Sequence, residues 1–194
     1  MGKIYCLMGK SASGKDTLYG MIRALRPELL EYVMYATRPM RTGETDGVTY
    51  HFVTPEYLSE VEKKGLLIES RTYNTAHGPW TYATVDDGQV DLLKGSYLMP
   101  STLESFIKLR DYYGEENVIP LYVEVDDGER LQRALNRERS QKEPKYKELC
   151  RRFLADSEDF SDEKLAEAGI KTRYQNLDAA ECAAVITESI DRAG

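Results

Sequence analysis

The feature that most constrains the fold of this chain is a glycine-rich stretch near its beginning. Residues 7–17 read Leu-Met-Gly-Lys-Ser-Ala-Ser-Gly-Lys-Asp-Thr, between the apolar run of residues 4–7 and apolar residues at helical spacing. The order is strand, tight turn, helix, and the spacing of Gly9, Gly14 and Lys15 is that of a phosphate-binding loop. The glycines let successive backbone N–H groups point into one concavity, and the helix adds its positive dipole end. The stretch predicts a nucleoside triphosphate site.

The whole loop is predicted to contact the triphosphate, and Lys15 supplies a mobile positive charge for its outer phosphates. The predicted contacts are Gly9, Lys10, Ser11, Ala12, Ser13, Gly14, Lys15, Asp16 and Thr17. A Ser or Thr that holds Mg²⁺ usually follows the lysine, but here Asp16 stands there and Thr17 comes next. We therefore predict that Asp16 and Thr17 orient the magnesium ion or its waters.

Length and charge narrow the function classes. The 194 residues suggest one domain, and the net charge of −7 argues against a nucleic-acid binder, which needs a basic face. No apolar run is long enough to cross a bilayer, and no signal peptide is expected at the start. Three widely separated cysteines, in no metal-ligand spacing, indicate reduced thiols. We expect a cytoplasmic protein that binds neither nucleic acid nor membrane; its oligomeric state stays open.

Strand and helix signals alternate along the chain, which predicts an α/β fold with a parallel sheet flanked by helices. Residues 36–84 are rich in turns and aromatic strands and predict a small, mostly β insertion. Strands are predicted at 4–7, 31–35, up to 52, 66–69, 80–84, 97–99, 118–125 and 172–175. Helices are predicted after the loop, at 54–64, 87–94, 101–113 with a Ser101-x-x-Glu104 capping box, 129–139, 146–160, and after an Asp178 cap.

A second motif carries a family resemblance. Residues 37–52 read Thr-Arg-Pro-Met-Arg-Thr-Gly-Glu-Thr-Asp-Gly-Val-Thr-Tyr-His-Phe. The pattern Thr-Arg-Pro, Arg, Gly-Glu and Gly-x-x-Tyr-x-Phe closely resembles the monophosphate-binding segment of guanylate kinases. The resemblance covers most of the chain and is strongest over residues 3–70. It implies a P-loop nucleoside monophosphate kinase that transfers a phosphoryl group from ATP to GMP with Mg²⁺, and a helical lid over residues 133–152.

The resemblance also assigns the monophosphate site. It implies that Arg38 and Arg41 clamp the phosphate of GMP, where planar guanidinium groups match phosphate oxygens. It implies that Tyr50 adds a hydroxyl donor and that Glu44 orients one of the arginines. Arg38 is counted as catalytic together with Lys15, because the clamp aligns the acceptor for transfer.

Base recognition is assigned to Glu69. The resemblance implies that its carboxylate accepts hydrogen bonds from N1–H and the 2-amino group of guanine, donors that adenine does not present in that arrangement. Thr81 is the predicted helper. Three positions depart from the family pattern: Met34 replaces a serine that contacts the base, residues 75–81 lack a Tyr-Tyr-Gly run, and residues 98–101 (Leu-Met-Pro-Ser) lack two carboxylates.

The lid arginines are assigned by spacing. The resemblance implies that Arg137 and Arg152 neutralise charge on the transferred group, and that Arg133 and Asn176 contact ATP. Two alternatives remain. The acceptor could be a different nucleoside monophosphate or small phosphorylated molecule, since the base pocket is altered. The chain could also be a non-catalytic guanylate-kinase-like binding module, although such modules tend to lose the phosphate loop, which is intact here.

Overall fold

The computed structural model describes residues 1–75 and 78–193, so Ala76 and His77 of the divergent 75–81 run lie outside the described residues. The strands are β1 Ile4–Met8, β2 Tyr35–Ala36, β3 His51–Phe52, β4 Leu67–Thr75, β5 Gly78–Val85, β6 Tyr97–Pro100, β7 Val118–Glu124 and β8 Arg173–Gln175. The helices are α1 Lys15–Leu25, α2 Pro55–Lys63, α3 Leu103–Tyr113, α4 Asp127–Arg139, α5 Tyr146–Asp159, α6 Asp162–Glu167 and α7 Ala179–Ala193. None of the helices in these ranges is long and apolar enough to span a bilayer.

The first sheet has the order β6-β1-β7-β8, and all its strand pairs are parallel. Strand β1 is buried along its whole length because helices cover both faces of the sheet, which explains its unbroken apolar sequence. Ile4 and Met8 pack on the side of α3 and α6, while Tyr5 and Leu7 pack on the side of α1 and α7. The carboxyl ends of the four strands meet at one edge, where ligands bind in folds of this class.

The second sheet has the order β3-β2-β5-β4 and mixes parallel and antiparallel pairs. Helix α2 covers one part of it, with Leu58 and Val61 packed among Tyr35, Ala83 and Val85. The helix begins at Thr54, whose hydroxyl accepts a hydrogen bond from the Tyr57 backbone N–H. The predicted α/β class, with a parallel sheet and a mostly β insertion, is confirmed.

The helix predicted over residues 87–94 is wrong; the segment has turns and no regular element. Side-chain hydrogen bonds hold the segment in a non-helical conformation. The Gln89 side chain bonds both the N–H and the C=O of Val33, and the Asp87 carboxylate accepts from the Gln89 backbone N–H. The Asp91 backbone N–H donates to the Tyr97 hydroxyl at 3.0 Å. These contacts fix an ordered loop against the edge of the first sheet.

The capping box predicted at Ser101 is also wrong, by one position. Thr102 is the N-cap of α3, and its hydroxyl accepts from the Ser105 backbone N–H. Ser101 is buried at the end of β6, where its backbone N–H donates to the Leu7 carbonyl. The cap predicted at Asp178 is confirmed, since its carboxylate accepts from the backbone N–H groups of Ala180 and Glu181 in the first turn of α7. Helix α6 was not predicted.

Candidate active site

The phosphate loop connects β1 to α1 and has the backbone that its glycines predict. Gly14 is left-handed with φ of 86°, and Ala12 shares this conformation with φ of 62°. The Asn176 amide donates to the Ser13 carbonyl at 2.7 Å. A Cβ on Gly14 would lie 2.4 Å from the Asn176 amide nitrogen, so glycine is required both by the backbone conformation and by the close approach.

The far side of the loop is held by a pair of residues without a predicted role. The Ser11 backbone N–H donates to the Asp156 carboxylate on α5 at 2.7 Å. Arg130 on α4 donates to the Ser11 carbonyl at 3.0 Å, and its side chain is only 1% exposed. Asp127 accepts two bonds from the same guanidinium. The backbone N–H and C=O of Ser11 are therefore both hydrogen-bonded, one to a side chain of α5 and the other to a side chain of α4. These two helices carry the ends of the predicted lid.

The charged residues of the loop point in different directions. Lys15 is partly exposed, with Nζ 4.0 Å from the Asp16 carboxylate, whose own side chain is 91% exposed. Lys10 instead bonds Asp127 at 3.4 Å. Thr17 is exposed in the first turn of α1. Lys15 is thus the loop cation with the freedom to follow bound phosphates.

The described residues contain no cluster of three or more His, Cys, Asp or Glu side chains that could hold a metal ion. This does not conflict with the predicted Mg²⁺. In kinases the ion keeps several waters and is bound by substrate phosphates plus one or two protein oxygens. The Asp16 carboxylate and Thr17 hydroxyl, both exposed at the mouth of the loop, are donors of that kind.

The first predicted clamp arginine is fixed by its neighbours on the second sheet. Arg38 donates two bonds to the Glu44 carboxylate, at 2.7 and 2.5 Å, and one to the Tyr82 hydroxyl at 3.1 Å. Its side chain is 3% exposed. The Arg38 guanidinium holds the pKa of the Glu44 carboxyl at about 2. The Arg38 guanidinium is therefore charged, and its hydrogen bonds fix its orientation before any ligand binds.

The other clamp residues surround this pair. The Tyr50 ring lies 5.1 Å from the Arg38 guanidinium carbon, and Glu44 also accepts from the Arg41 backbone N–H at 2.7 Å. The Arg41 guanidinium itself is 5.9 Å from the centre of the Trp80 ring, on an exposed residue. The structure brings Arg38, Glu44 and Tyr50 together. The exposed Arg41 side chain lies outside this group.

The predicted base-recognition residue Glu69 is buried, with 3% of its side chain exposed. One carboxylate oxygen accepts from the Thr84 hydroxyl at 2.9 Å, and the other lies 3.3 Å from Nε of Arg71. Arg71 also donates to the Thr102 hydroxyl at 2.9 Å. Thr81, the predicted helper, pairs instead with Thr72, and strand alternation places that pair on the opposite face of the sheet from Glu69.

The lid arginines fall into two groups. Arg133 donates to the Asn176 carbonyl at 3.2 Å and so lies beside the phosphate loop. Arg137 is exposed in the last turn of α4. Arg152 is exposed on α5 and bonds Glu148 at 2.8 Å. The structure therefore brings Arg133 and Asn176 together and leaves Arg137 and Arg152 on the surface.

A cavity of about 770 Å³ lies between strand β4, helix α3 and the α5–α6 region. Its lining residues include Arg71, Tyr73, Thr102, Arg110 and Lys164. Because β4 is an edge strand, the cavity opens along the side of the second sheet that faces the parallel sheet and its helices. It is large enough for a nucleotide base and sugar.

Comparison with known proteins agrees with these features. The guanylate kinase family model matches residues 1–87. Curated guanylate kinases from Syntrophotalea carbinolica and Aliivibrio fischeri are 36% and 33% identical over 78 and 93 residues, which are 40% and 45% of this chain and 37% and 45% of theirs. One from Frankia casuarinae is 46% identical over 63 residues, 32% of this chain and 34% of its own. The chain thus spans less than half the length of these curated relatives.

The structural likeness extends further. The crystal structure of guanylate kinase from Anaplasma phagocytophilum matches with a TM-score of 0.64 at 20% identity, covering 98% of this chain and 85% of that one. At this identity the likeness concerns the fold, and function has to be argued from the site. The family resemblance found in residues 3–70 is confirmed. The chain matches the guanylate kinase family model over residues 1–87, and over nearly its whole length it has the fold of a guanylate kinase structure.

Proposed function

We propose that this chain is a nucleoside monophosphate kinase that transfers the γ-phosphoryl group of ATP to GMP, giving ADP and GDP. The observation that carries the proposal is the presence of two phosphate-binding arrangements in one molecule. One is the loop of Gly9 to Lys15 with its left-handed turn. The other is the buried Arg38 fork, charged and aimed by Glu44. A binding module that had lost catalysis would have no need of both.

The proposed chemistry is alignment and charge neutralisation without a covalent enzyme intermediate. An oxygen of the GMP phosphate attacks the γ-phosphorus while the bond to the bridging oxygen of ADP breaks. Lys15 and the loop N–H groups hold the donor phosphates, and Arg38, Arg41 and Tyr50 hold the acceptor phosphate. Arg133 and Asn176 contact ATP beside the loop, and Arg137 and Arg152 move inward with the lid.

Magnesium bound with ATP would neutralise phosphate charge, with Asp16 and Thr17 as its protein-side donors. The proposal treats the chain as a single guanylate-kinase-like domain, with residues 36–84 as the monophosphate subdomain and 133–152 as the lid. Its partners are small molecules. A cytoplasmic location is part of the proposal, supported by three free cysteines.

A coupled ADP-release assay over GMP, dGMP, AMP, UMP and CMP tests the proposal. We expect GMP to give the highest kcat/KM, with GDP identified as the product by chromatography. Preference for another nucleotide would keep the reaction class and change the substrate. ATP binding without transfer to any of them would favour the non-catalytic alternative and overturn the proposal. Lys15→Ala protein measures contaminating kinase from the expression host.

A further inference from the structure

The phosphate loop contains a tight turn over residues 10–13. The Ser13 backbone N–H donates to the Lys10 carbonyl at 3.1 Å, which closes the turn. The third residue of the turn, Ala12, has φ of 62°, while φ of Ser11 is not positive. This combination is that of a type II turn, whose third position favours glycine because a Cβ makes the conformation strained. Such strain persists only where surrounding groups hold the backbone in place.

The peptide group between Ser11 and Ala12 determines the type of this turn. Type I and type II turns differ by a rotation of the central peptide, which reverses the directions of its C=O and N–H groups. Alanine disfavours the left-handed conformation of the type II turn by a factor of roughly five to thirty. A contact to the Ser11 carbonyl can therefore select type II over type I.

Arg130 makes that contact. Its Nη1 donates to the Ser11 carbonyl at 3.0 Å, and the guanidinium carbon lies 4.8 Å from the centre of the Phe153 ring. The Asp127 carboxylate accepts from Nε and Nη2 at 3.0 and 2.7 Å, and Asp156 lies 3.8 Å from Nη1. The Arg130 side chain is 1% exposed. These partners hold the guanidinium in one orientation against the loop.

Asp156 holds the other backbone group of Ser11. Its Oδ2 accepts from the Ser11 N–H at 2.7 Å, and the same oxygen faces Nη1 of Arg130. In a trans peptide the C=O and N–H point in opposite directions, so the Ala12 N–H points away from Arg130. Among the described residues, none accepts a hydrogen bond from the Ala12 N–H. This donor is therefore available to a phosphate oxygen.

We propose that Arg130 and Asp156 are positioning residues for the donor nucleotide. They hold the carbonyl and the N–H of Ser11, keep the turn in its type II form, and so present the Ala12 N–H to a phosphate oxygen of ATP. They act through the loop backbone and not by contact with the nucleotide. This inference rests on the proposed function, in which ATP is the phosphoryl donor bound by the loop.

The first test measures binding of Mg-ATP without an acceptor, by isothermal titration calorimetry. Arg130→Met keeps an apolar stem and removes every donor. Its Kd should rise roughly five- to thirtyfold, because the turn that binds ATP becomes a minor population. Gln132→Ala changes an exposed residue of α4 that bonds Asn136, and this matched control should leave Kd unchanged. An unchanged Kd for Arg130→Met would overturn the inference.

Ala12→Gly separates positioning from direct contact with ATP. Glycine adopts positive φ without strain, so the type II turn should persist when Arg130 is replaced. In the Ala12→Gly background, Arg130→Met should therefore raise Kd by less than about threefold. The same increase in both backgrounds would show that Arg130 contacts the nucleotide itself or supports the fold in general, and would overturn the positioning role.

Asp156→Ala provides the same comparison if circular dichroism melting shows that a variant of the buried Arg130 does not fold. Its effect on Kd should also be smaller in the Ala12→Gly background, and equal effects would overturn the inference. Because binding is measured without transfer, a wild-type chain that binds Mg-ATP and phosphorylates no acceptor removes the proposed function alone. A wild-type chain that does not bind Mg-ATP removes both.

Discussion

The two phosphate-binding arrangements of this molecule are held in opposite ways. The phosphate loop is fixed by partners far away in the chain: Ser11 bonds Asp156, 145 residues on, and Ser13 bonds Asn176, 163 residues on. The acceptor clamp is held over shorter distances in the chain, because Arg38 bonds Glu44 6 residues away and Tyr82 44 residues away. The loop therefore depends on the assembled parallel sheet and on helix α5, whereas the clamp is built within the second sheet and the segment before β3.

This difference has a mechanical consequence. Asp156 lies on α5, which also carries Arg152, and Arg130 lies on α4 with Arg133 and Arg137. The contacts that hold the loop therefore run through the same helices that carry the lid arginines. Movement of α5 would change the environment of Ser11. No such link joins the described contacts of Arg38 to α4 or α5, so the clamp would keep its geometry during the proposed movement of the lid.

Lys15→Ala is expected to have the largest effect, because it removes the loop's free cation from the donor side. Transfer should fall at least about a hundredfold, as for loss of a preorganised electrostatic contact to a transition state. The fold should be unaffected, since Lys15 is partly exposed and its nearest carboxylate is 4.0 Å away. Single-turnover ADP formation measures the loss, and Lys108→Ala, an exposed lysine on α3, is the matched control. Turnover near the wild-type rate would exclude the loop from the mechanism.

Arg38→Ala tests the acceptor side and should have the next largest effect. It removes the fork and leaves Glu44 without its main partner, so kcat/KM for the acceptor should fall about tenfold or more. KM for ATP should change little if the clamp is independent of the loop. Arg38→Lys keeps the charge but loses the bidentate geometry and should be intermediate. An equal rise in both KM values would contradict the separation of the two arrangements.

The same difference explains what the sequence could predict. The glycine spacing and the residue 37–52 motif identified both arrangements because each is encoded in consecutive residues. Arg130 and Asp156 were missed as loop contacts, since nothing near either one indicates that it meets Ser11. The only local signal was Asp127 three residues before Arg130, at helical ion-pair spacing.

The base end of the cleft shows a further limit. Glu69 was assigned by the family resemblance, and the strand predicted at residues 66–69 is present as the start of β4. Its partner Arg71 follows two residues later, which puts both side chains on one face of a strand. The sequence could therefore predict that these two opposite charges lie on the same face of the strand. That the arginine covers the carboxylate depends on Thr102, at the start of α3, and could be found only from the structure.

Asp156→Ala tests whether distant contacts support the loop. The Ser11 backbone N–H would lose its carboxylate acceptor, and Arg130 would lose one of its neighbouring carboxylates, which lies 3.8 Å away. We expect KM for ATP to rise about two- to tenfold, the range of one hydrogen bond. Asp156→Asn keeps an acceptor oxygen and should have a smaller effect, while exposed Asp159→Ala on the same helix is the control for helix stability. An unchanged KM for ATP would mean that the loop holds its shape without α5.

The smallest expected effect concerns acid stability of the clamp. The Glu44 pKa is lowered from 4.5 to about 2 by Arg38. A carboxyl with a lowered folded-state pKa stabilises the protein above its unfolded pKa, and this contribution is lost as pH falls through the folded value. Wild type should therefore exceed Glu44→Gln in free energy of unfolding at about pH 5, and the gap should close towards about pH 2. Urea unfolding at several pH values measures it, with Glu56→Gln, an exposed α2 carboxylate that bonds Thr54 and not an arginine, as comparison. A gap that does not depend on pH would show that Glu44 supports Arg38 by shape alone, and not by its charge.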